Sequence, residues 1–385
     1  MNKDTAVLEF DYDEELHAAT KITAVINPSY APLAIVNAQG EITRRALNSW
    51  WQSRAIPATR QQIHQVLDEL SLDSTLSLAE KNCGLSLSDR YWIKQESFPL
   101  KWDAINFFDN EFSGDLGFLT LGQSSVNNPN LFSPNSTLGG DLRKRWEIAK
   151  GERVLVKEGV GAFNQEVYNE VVATRLFERL LSANSFVPYT LMVEGDESYC
   201  VCRNMLQEDE ELVPAYDIFS HFKHSNQLND SPFFLQCCAA LEIPDVATRL
   251  SEMFGCDYLI ANRDRHWYNF GAIRNVETLK FERIAPIFDT GSCLWSNKKV
   301  LSTPIDFEYS AKPFGIQGMK PEKQLQLLSD FSWFDKGKLE GFTEEMAAIL
   351  TQNPLMPESR IAQICKEVEK RIEHLSQLAL RKSLP

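Results

Sequence analysis

The spacing of apolar positions changes several times along the first third of the chain. Leu8, Phe10 and Tyr12 alternate with acidic residues, the two-residue period of a half-buried strand. The apolar run Pro32-Leu33-Ala34-Ile35-Val36 extends this into a short β unit over about residues 5–36. Asn37-Ala38-Gln39-Gly40 reads as a turn, and Thr43 can cap a helix carrying Leu47, Trp50 and Trp51. Thr59 precedes a second helix, with Ile63, Val66, Leu67 and Leu70 at helical spacing. Ser77 and Glu80 predict a capping box for a third helix ending near Gly84.

Residues 122–141 break the periodicity and are rich in Ser, Asn, Gly and Pro, which predicts a loop. RWEIAK and RVLVK then read as a hairpin about a Gly-Glu turn, and QEVYNEVVATRLFERLL as a helix. FVPYTLMV and SYCVCRNM form another strand pair across Gly195-Asp196. The second half is mainly helical. Asp245 caps a helix through Leu250, Phe254 and Leu259 to about Asn262, and Pro321 and Pro357 mark the first turns of two more. Ile361, Ile364, Val368, Ile372 and Leu375 give the last helix a strong apolar face.

The 385 residues and 43% hydrophobic content allow one large two-lobed unit or two domains. Lys+Arg 39 against Asp+Glu 53 leaves a formal net charge of -14, which argues against direct nucleic-acid binding in the absence of a segregated basic patch. Arg44, Arg45, Arg54 and Arg60 around two short helices suggest a helix-turn-helix. The acidic surroundings and poor turn spacing favour a packed helical subdomain with solvated arginines. The N-terminus has no apolar stretch of the signal-peptide kind, and no 18-residue apolar run occurs, so neither export nor a membrane is expected. Eight cysteines without CxxC spacing predict reduced, partly buried thiols in a cytoplasmic protein.

The chemistry concentrates in Asn262-Arg263-Asp264-Arg265-His266-Trp267-Tyr268-Asn269, just past a helix end. An Asp followed five residues later by an Asn is a spacing used in phosphoryl transfer: the Asp orients the attacking hydroxyl and the Asn carbonyl reaches magnesium. Twenty residues on, Ile287-Phe288-Asp289-Thr290-Gly291 presents a carboxylate at a strand tip, suited to the metal that bridges phosphates. A hairpin over residues 278–285 fits between them. Upstream, Lys157 ends the strand Val154-Leu155-Val156, where it can reach phosphate oxygens. Glu166 and Glu170 share a face of the following helix, and Glu170 is the better partner because Val171 and Val172 suggest burial there. The loop Ser133-Pro134-Asn135-Ser136-Thr137-Leu138-Gly139-Gly140 matches no phosphate-loop motif, yet its N–H groups and hydroxyls suit phosphate oxygens.

From about Leu47 to the C-terminal helix the chain resembles the HipA-like bacterial serine/threonine kinases. The resemblance rests on SLSDRYWI, SPNSTLGGDLRKRW, VLVKEG with NEVVATRL, and above all NRDRHWYNFG with PIFDTG. It implies an α+β, two-lobed kinase-like fold that uses ATP and Mg2+. Asp264 would be the catalytic base, Asn269 and Asp289 the metal ligands, and His266 a nucleotide or metal contact. Lys157, held by Glu170, would bind the phosphates beneath Ser136, Thr137 and Gly139. Asn204, Met205 and Leu206 would form the hinge at adenine. The resemblance also implies a protein substrate with a Ser or Thr acceptor, an antitoxin-like partner, and self-phosphorylation at Ser133, Ser136 or Thr137. Tyr268 departs from the Lys that many members carry before the catalytic-loop Asn. The expected division is an accessory region over 1–110, an N-lobe over 111–205 and a C-lobe over 206–385. Two rivals share the motifs, a phosphoinositide-type lipid kinase and a non-catalytic kinase-fold module. Against the first, Lys298-Lys299 is the only basic pair just after the DTG segment. Against the second, Lys157, Asp264, Asn269 and Asp289 are all present.

Overall fold

The computed structural model describes residues 1–60, 62–123, 128–140, 142–161, 163–224, 229–314 and 318–382. The alternation at the N-terminus becomes a separate antiparallel hairpin, β1 (Leu8–Asp13) against β2 (Ala18–Val25). Residues 32–36 add no third strand: apart from one bridge between Val36 and Ile42 they run as turns, with Leu33 and Ile35 buried. Pro32 removes a ladder donor there, so the run contributes to the cores without pairing.

Helix α1 (Arg44–Ser53) starts as expected, the Ala46 N–H donating to Thr43 Oγ1 at 3.2 Å. Helix α2 (Ile63–Leu70) begins four residues beyond Thr59. In α3 (Thr75–Lys81) the cap is Ser74, whose Oγ accepts from the Ser77 N–H at 3.2 Å, so the predicted box lay three residues too far along. The short helices α4 (Trp102–Ile105) and α5 (Asp115–Thr120) come next. Arg54 and Arg60 depart from the solvated reading. Both are buried, Arg54 forked onto Asp89 at 2.8 and 2.9 Å and Arg60 donating to the carbonyls of Leu138, Gly139 and Gly140.

Beyond them lies a four-stranded antiparallel sheet of β3 (Lys144–Ala149), β4 (Glu152–Glu158), β5 (Thr190–Glu194) and β6 (Glu197–Arg203), in the order β3-β4-β6-β5. Its first turn is Lys150-Gly151, one residue earlier than Gly-Glu. Ala149 opposes Glu152, and both loop residues have positive φ, the two-residue geometry that matches strand twist. Helix α6 (Gln165–Leu180) packs on this sheet. A second sheet, β7 (Glu210–Pro214), β8 (Gly271–Asn275) and β9 (Phe281–Ile284), contains a hairpin before Asp289 that begins at Gly271, seven residues ahead of the 278–285 expected.

The helical half comprises α7 (Ala215–His221), α8 (Asp230–Ala240), α9 (Val246–Leu259), α10 (Pro321–Leu325), α11 (Phe342–Leu350) and α12 (Glu358–Lys382). Asp245 stands at the N-cap of α9, but with φ 54° and no side-chain cap bond. The predicted apolar face of α12 is buried throughout. One large core runs through α6, α8, α9, α11 and α12, while three smaller cores lie mostly among residues before 120. All eight cysteines are free, six of them buried. Among the described residues, no helix is long and apolar enough to cross a membrane.

Candidate active site

Strand β4 brings Lys157 under α6 as the last basic residue of an apolar strand. Its Nζ donates to Glu170 Oε1 at 3.1 Å, the Tyr189 hydroxyl at 3.0 Å and Asp289 Oδ1 at 2.8 Å. All three ammonium protons are thereby used. The other oxygen of Glu170 accepts from the Thr290 N–H at 3.0 Å and the Thr290 hydroxyl at 2.7 Å. Glu170 thus ties the lysine strand to the segment carrying Asp289, whereas Glu166 accepts, among the described residues, only from the Gly161 N–H at 3.4 Å. Burial opposes the Lys157 charge, but Asp289 and Glu170 outweigh it and hold its pKa well above the ordinary value. Burial likewise works against the Asp289 carboxylate, and Lys157 overrides it, keeping the group well below the usual carboxylate range.

The segment after α9 is organised by an ion pair. Arg265 is forked onto Asp257 at 2.9 and 3.1 Å, and both side chains are fully buried. Its remaining Nη1 donates to the Asn269 carbonyl and the Phe288 carbonyl, each at 2.6 Å. One guanidinium therefore holds together the two segments that carry Asn269 and Asp289. Asn269 Nδ2 donates to the Asp264 carbonyl at 2.8 Å, which directs its Oδ1 away from that bond. Asp289 has φ 56°, a left-handed conformation an Asp tolerates better than most residues. Neither Asn269 Oδ1 nor Asp289 Oδ2 accepts a hydrogen bond among the described residues. Two oxygen donors of this kind fit Mg2+, which keeps several waters and takes the rest of its shell from phosphates.

Asp264 presents Oδ1 to Lys312 Nζ at 2.7 Å. Burial pushes the His266 imidazole below its ordinary pKa, and its Nδ1 accepts from the Tyr268 N–H at 3.2 Å. Tyr268 is exposed and lies against Tyr216 with ring centroids 5.2 Å apart.

The Ser/Gly segment, expected to cover the phosphates, is tied down by its own side chains. Pro134–Thr137 forms a 3-10 turn whose side chains are buried. Ser133 donates to the Ser113 carbonyl at 2.9 Å, Ser136 to the Leu131 carbonyl at 2.6 Å, and Thr137 to the Leu85 carbonyl. Residues 124–127 and 141 of the expected loop lie outside the described residues. Asn204 donates to the Leu87 carbonyl at 3.1 Å, and its Oδ1 accepts from the Leu206 N–H at 3.3 Å. Leu206 is buried with Ile273 and Ala285, against Met205, Phe108 and Phe288. Arg90 secures the following turn by donating to the carbonyls of Gln207 and Glu208.

A cleft of about 330 Å³ opens between the first ninety residues and the β7–α7 segment, with Trp50, Asp89, Gly139, Asp217, Tyr268 and Arg274 among its walls. Burial, with Asp89 nearby, raises the Asp217 carboxyl to about 7.

The sequence reading assigned no role to Tyr189, Thr290, Asp257, Arg265 or Lys312. A buried acid on an apolar helix eight residues before Arg265 was a usable signal for that pair, since such an acid needs a cation. Lys312 left no comparable trace.

No family model and no curated protein matches this chain. Solved structures do. One is the Helicobacter pylori proinflammatory kinase CtkA, 20% identical with a TM-score of 0.49 over 64% of this chain and 95% of that one. Another is Shewanella oneidensis HipA, solved with HipB and operator DNA. It is 12% identical with a TM-score of 0.55, over 97% of this chain and 96% of that one. The likeness to HipA is one of fold, and the chain has an α+β kinase-like fold.

Proposed function

We propose that the protein is an ATP- and Mg2+-dependent serine/threonine protein kinase of the HipA-like type. The observation that carries this reading is the convergence of Lys157, Glu170, Asp264, Asn269 and Asp289. They span more than 130 positions of sequence, and are joined through Thr290 and Arg265 into one polar centre. An interior of this kind is costly to assemble, and structural need alone is met more cheaply by apolar packing.

In this reading, Asn269 and Asp289 would hold magnesium, which would supply charge neutralisation at the phosphates. Lys157 turns from Asp289 towards phosphate oxygens while Glu170 keeps it in place. Asp264 orients the acceptor hydroxyl for in-line attack, so positioning and electrostatics supply most of the catalysis. Adenine would lie against Leu206, Met205 and Phe288, with His266 at the phosphate end. Residues 1–110 would serve as the accessory region, 111–205 as the N-lobe and 206–385 as the C-lobe.

Self-phosphorylation would require Ser133, Ser136 or Thr137 to leave its carbonyl partner and swing out of its seat. The HipA structure contains HipB, and an antitoxin-like partner is proposed here by analogy.

The test is phosphate transfer by wild type and Asp289→Asn, with MgATP-induced thermal shift alongside. The expected result is a loss of at least a hundredfold in the variant. A variant rate within threefold of wild type would sink the metal-ligand assignment.

A further inference from the structure

At this centre Lys157 has spent its three donors on Glu170, Tyr189 and Asp289. Lys312 has not. Its one hydrogen-bond acceptor among the described residues is Asp264 Oδ1 at 2.7 Å, which leaves two ammonium protons for another partner. Asp264 Oδ2 accepts no hydrogen bond among the described residues, so the carboxylate is engaged on one oxygen and open on the other.

The delivery of Lys312 is built from both sides. On one side Ala311 pairs with Met319 through two backbone hydrogen bonds of 2.8 and 2.6 Å. On the other, after Pro313, Phe314 is buried in an aromatic nest, 5.1 Å from Trp267 and 5.8 Å from Phe270 between centroids. Trp267 and Phe270 belong to the same loop as Asp264 and Asn269. The segment carrying Lys312 is therefore anchored on the catalytic loop itself, two residues from the lysine. The side chain is 38% exposed, so a ligand can meet it from solvent. Arg265, also in that loop, is committed to Asp257 and two carbonyls.

We propose that Lys312 is a catalytic residue, whose ammonium, held by Asp264 Oδ1, binds the phosphoryl group during transfer. The proposal rests on the kinase reading above. An acceptor oxygen hydrogen bonded to the open Oδ2 stands beside the same ammonium, and the phosphorus must approach that oxygen in line. The acceptor oxygen forms the new P–O bond, and its proton passes to Asp264. The bond between the γ-phosphorus and the bridging oxygen breaks, with its electron pair leaving on ADP. Lys312 exchanges neither atoms nor electrons; it neutralises charge spread over the equatorial oxygens, which are most exposed in the transition state.

The experiment uses the full chain and two probes, MgADP and MgADP with aluminium fluoride, titrated by calorimetry into wild type, K312M, K312Q and K312R. Transfer rates from MgATP are measured on the same samples. The expected K312M and K312Q proteins bind MgADP within about twofold of wild type and lose at least tenfold of the added affinity that aluminium fluoride brings. Their kcat falls about a hundredfold with the KM for ATP nearly unchanged, as for loss of one charge-stabilising donor. K312R recovers a substantial part. A parallel loss of MgADP affinity would overturn the proposal in favour of a structural role. Transfer as fast as wild type, or faster, would overturn it in favour of an inert or blocking contact. A wild type that neither binds MgADP nor transfers phosphate removes the kinase reading and this proposal with it. An active wild type with active K312M and K312Q removes only the role of Lys312.

Discussion

Lys157 is neutralised by two carboxylates, and each of them depends on it. Removing its charge in Lys157→Met leaves the buried Glu170 and the half-buried Asp289 with no ammonium between them. The expected cost is roughly 3 kcal/mol, because breaking a buried pair strands an uncompensated charge. Denaturant unfolding of the variant beside wild type checks this, and a midpoint equal to wild type would contradict it. Asp217 supplies a prediction of the opposite sign. Its folded-state pKa of about 7 lies above the ordinary value of 3.8, so the folded protein holds this proton more tightly than the unfolded chain. The associated stability is present below about pH 4 and is lost as pH rises to about 7. Asp217→Asn should remove that slope and gain about 2 kcal/mol at pH 8, discounting a rigid-site upper limit of about 4. Thermal melts from pH 4 to 8 decide it.

These residue-level features differ in how far the sequence disclosed them. Lys157, Asp264, Asn269 and Asp289 stood out because each is a polar group at the end of an apolar element, in an order that phosphoryl transfer uses. Glu170 could be chosen over Glu166 from the valines beside it, and it is the one that reaches Lys157. Tyr189, Thr290 and Lys312 act through partners between 32 and 120 positions away, a pairing that local periodicity does not encode.

At the scale of elements, the loop carrying Asp264 and Asn269 is fixed by the strand into which it runs. Gly271 opens β8 directly after Phe270, and a Cβ there would stand 2.2 Å from the Val213 carbonyl oxygen of β7. Gly271→Ala should therefore part β7 from β8 and cost at least about 2 kcal/mol, within the range for forced overpacking. It should also weaken MgATP binding, since Asn269 lies two residues upstream. Chemical denaturation and a nucleotide titration read the two effects, and an unchanged midpoint would contradict the account. Elements of this kind were legible wherever period and turn chemistry agreed, as in the β5–β6 hairpin, α6 and α12, and in β3–β4 to within one residue at the turn. They were misread where two signals competed. Ser74 took the cap from Ser77, and residues 32–36 kept their apolar content but lost strand pairing to Pro32.

Across the whole molecule, the first hundred residues hold the Ser/Gly segment as well as their own small cores. Arg60 clamps the carbonyls of residues 138–140, and Asn82 donates to the Ser133 carbonyl at 2.9 Å. An arginine between two short helices gives no hint of a carbonyl eighty residues away, so this tie was invisible in the sequence. Arg60→Ala should release the segment, raising hydrogen exchange across residues 133–140. It should also speed any phosphate incorporation at Ser133, Ser136 or Thr137. Unchanged exchange there would show that Arg60 does not hold the segment.

The central claim is that this centre moves phosphate from ATP to a serine or threonine. Intact mass and phosphopeptide mapping test it most directly, on phosphatase-treated protein incubated with MgATP beside an Asp264→Asn control, with nucleotide consumption followed in parallel. Phosphate is expected on Ser or Thr of the wild type and not of the control. Equal gain in both proteins, or a wild type that neither binds nor consumes MgATP, would contradict it.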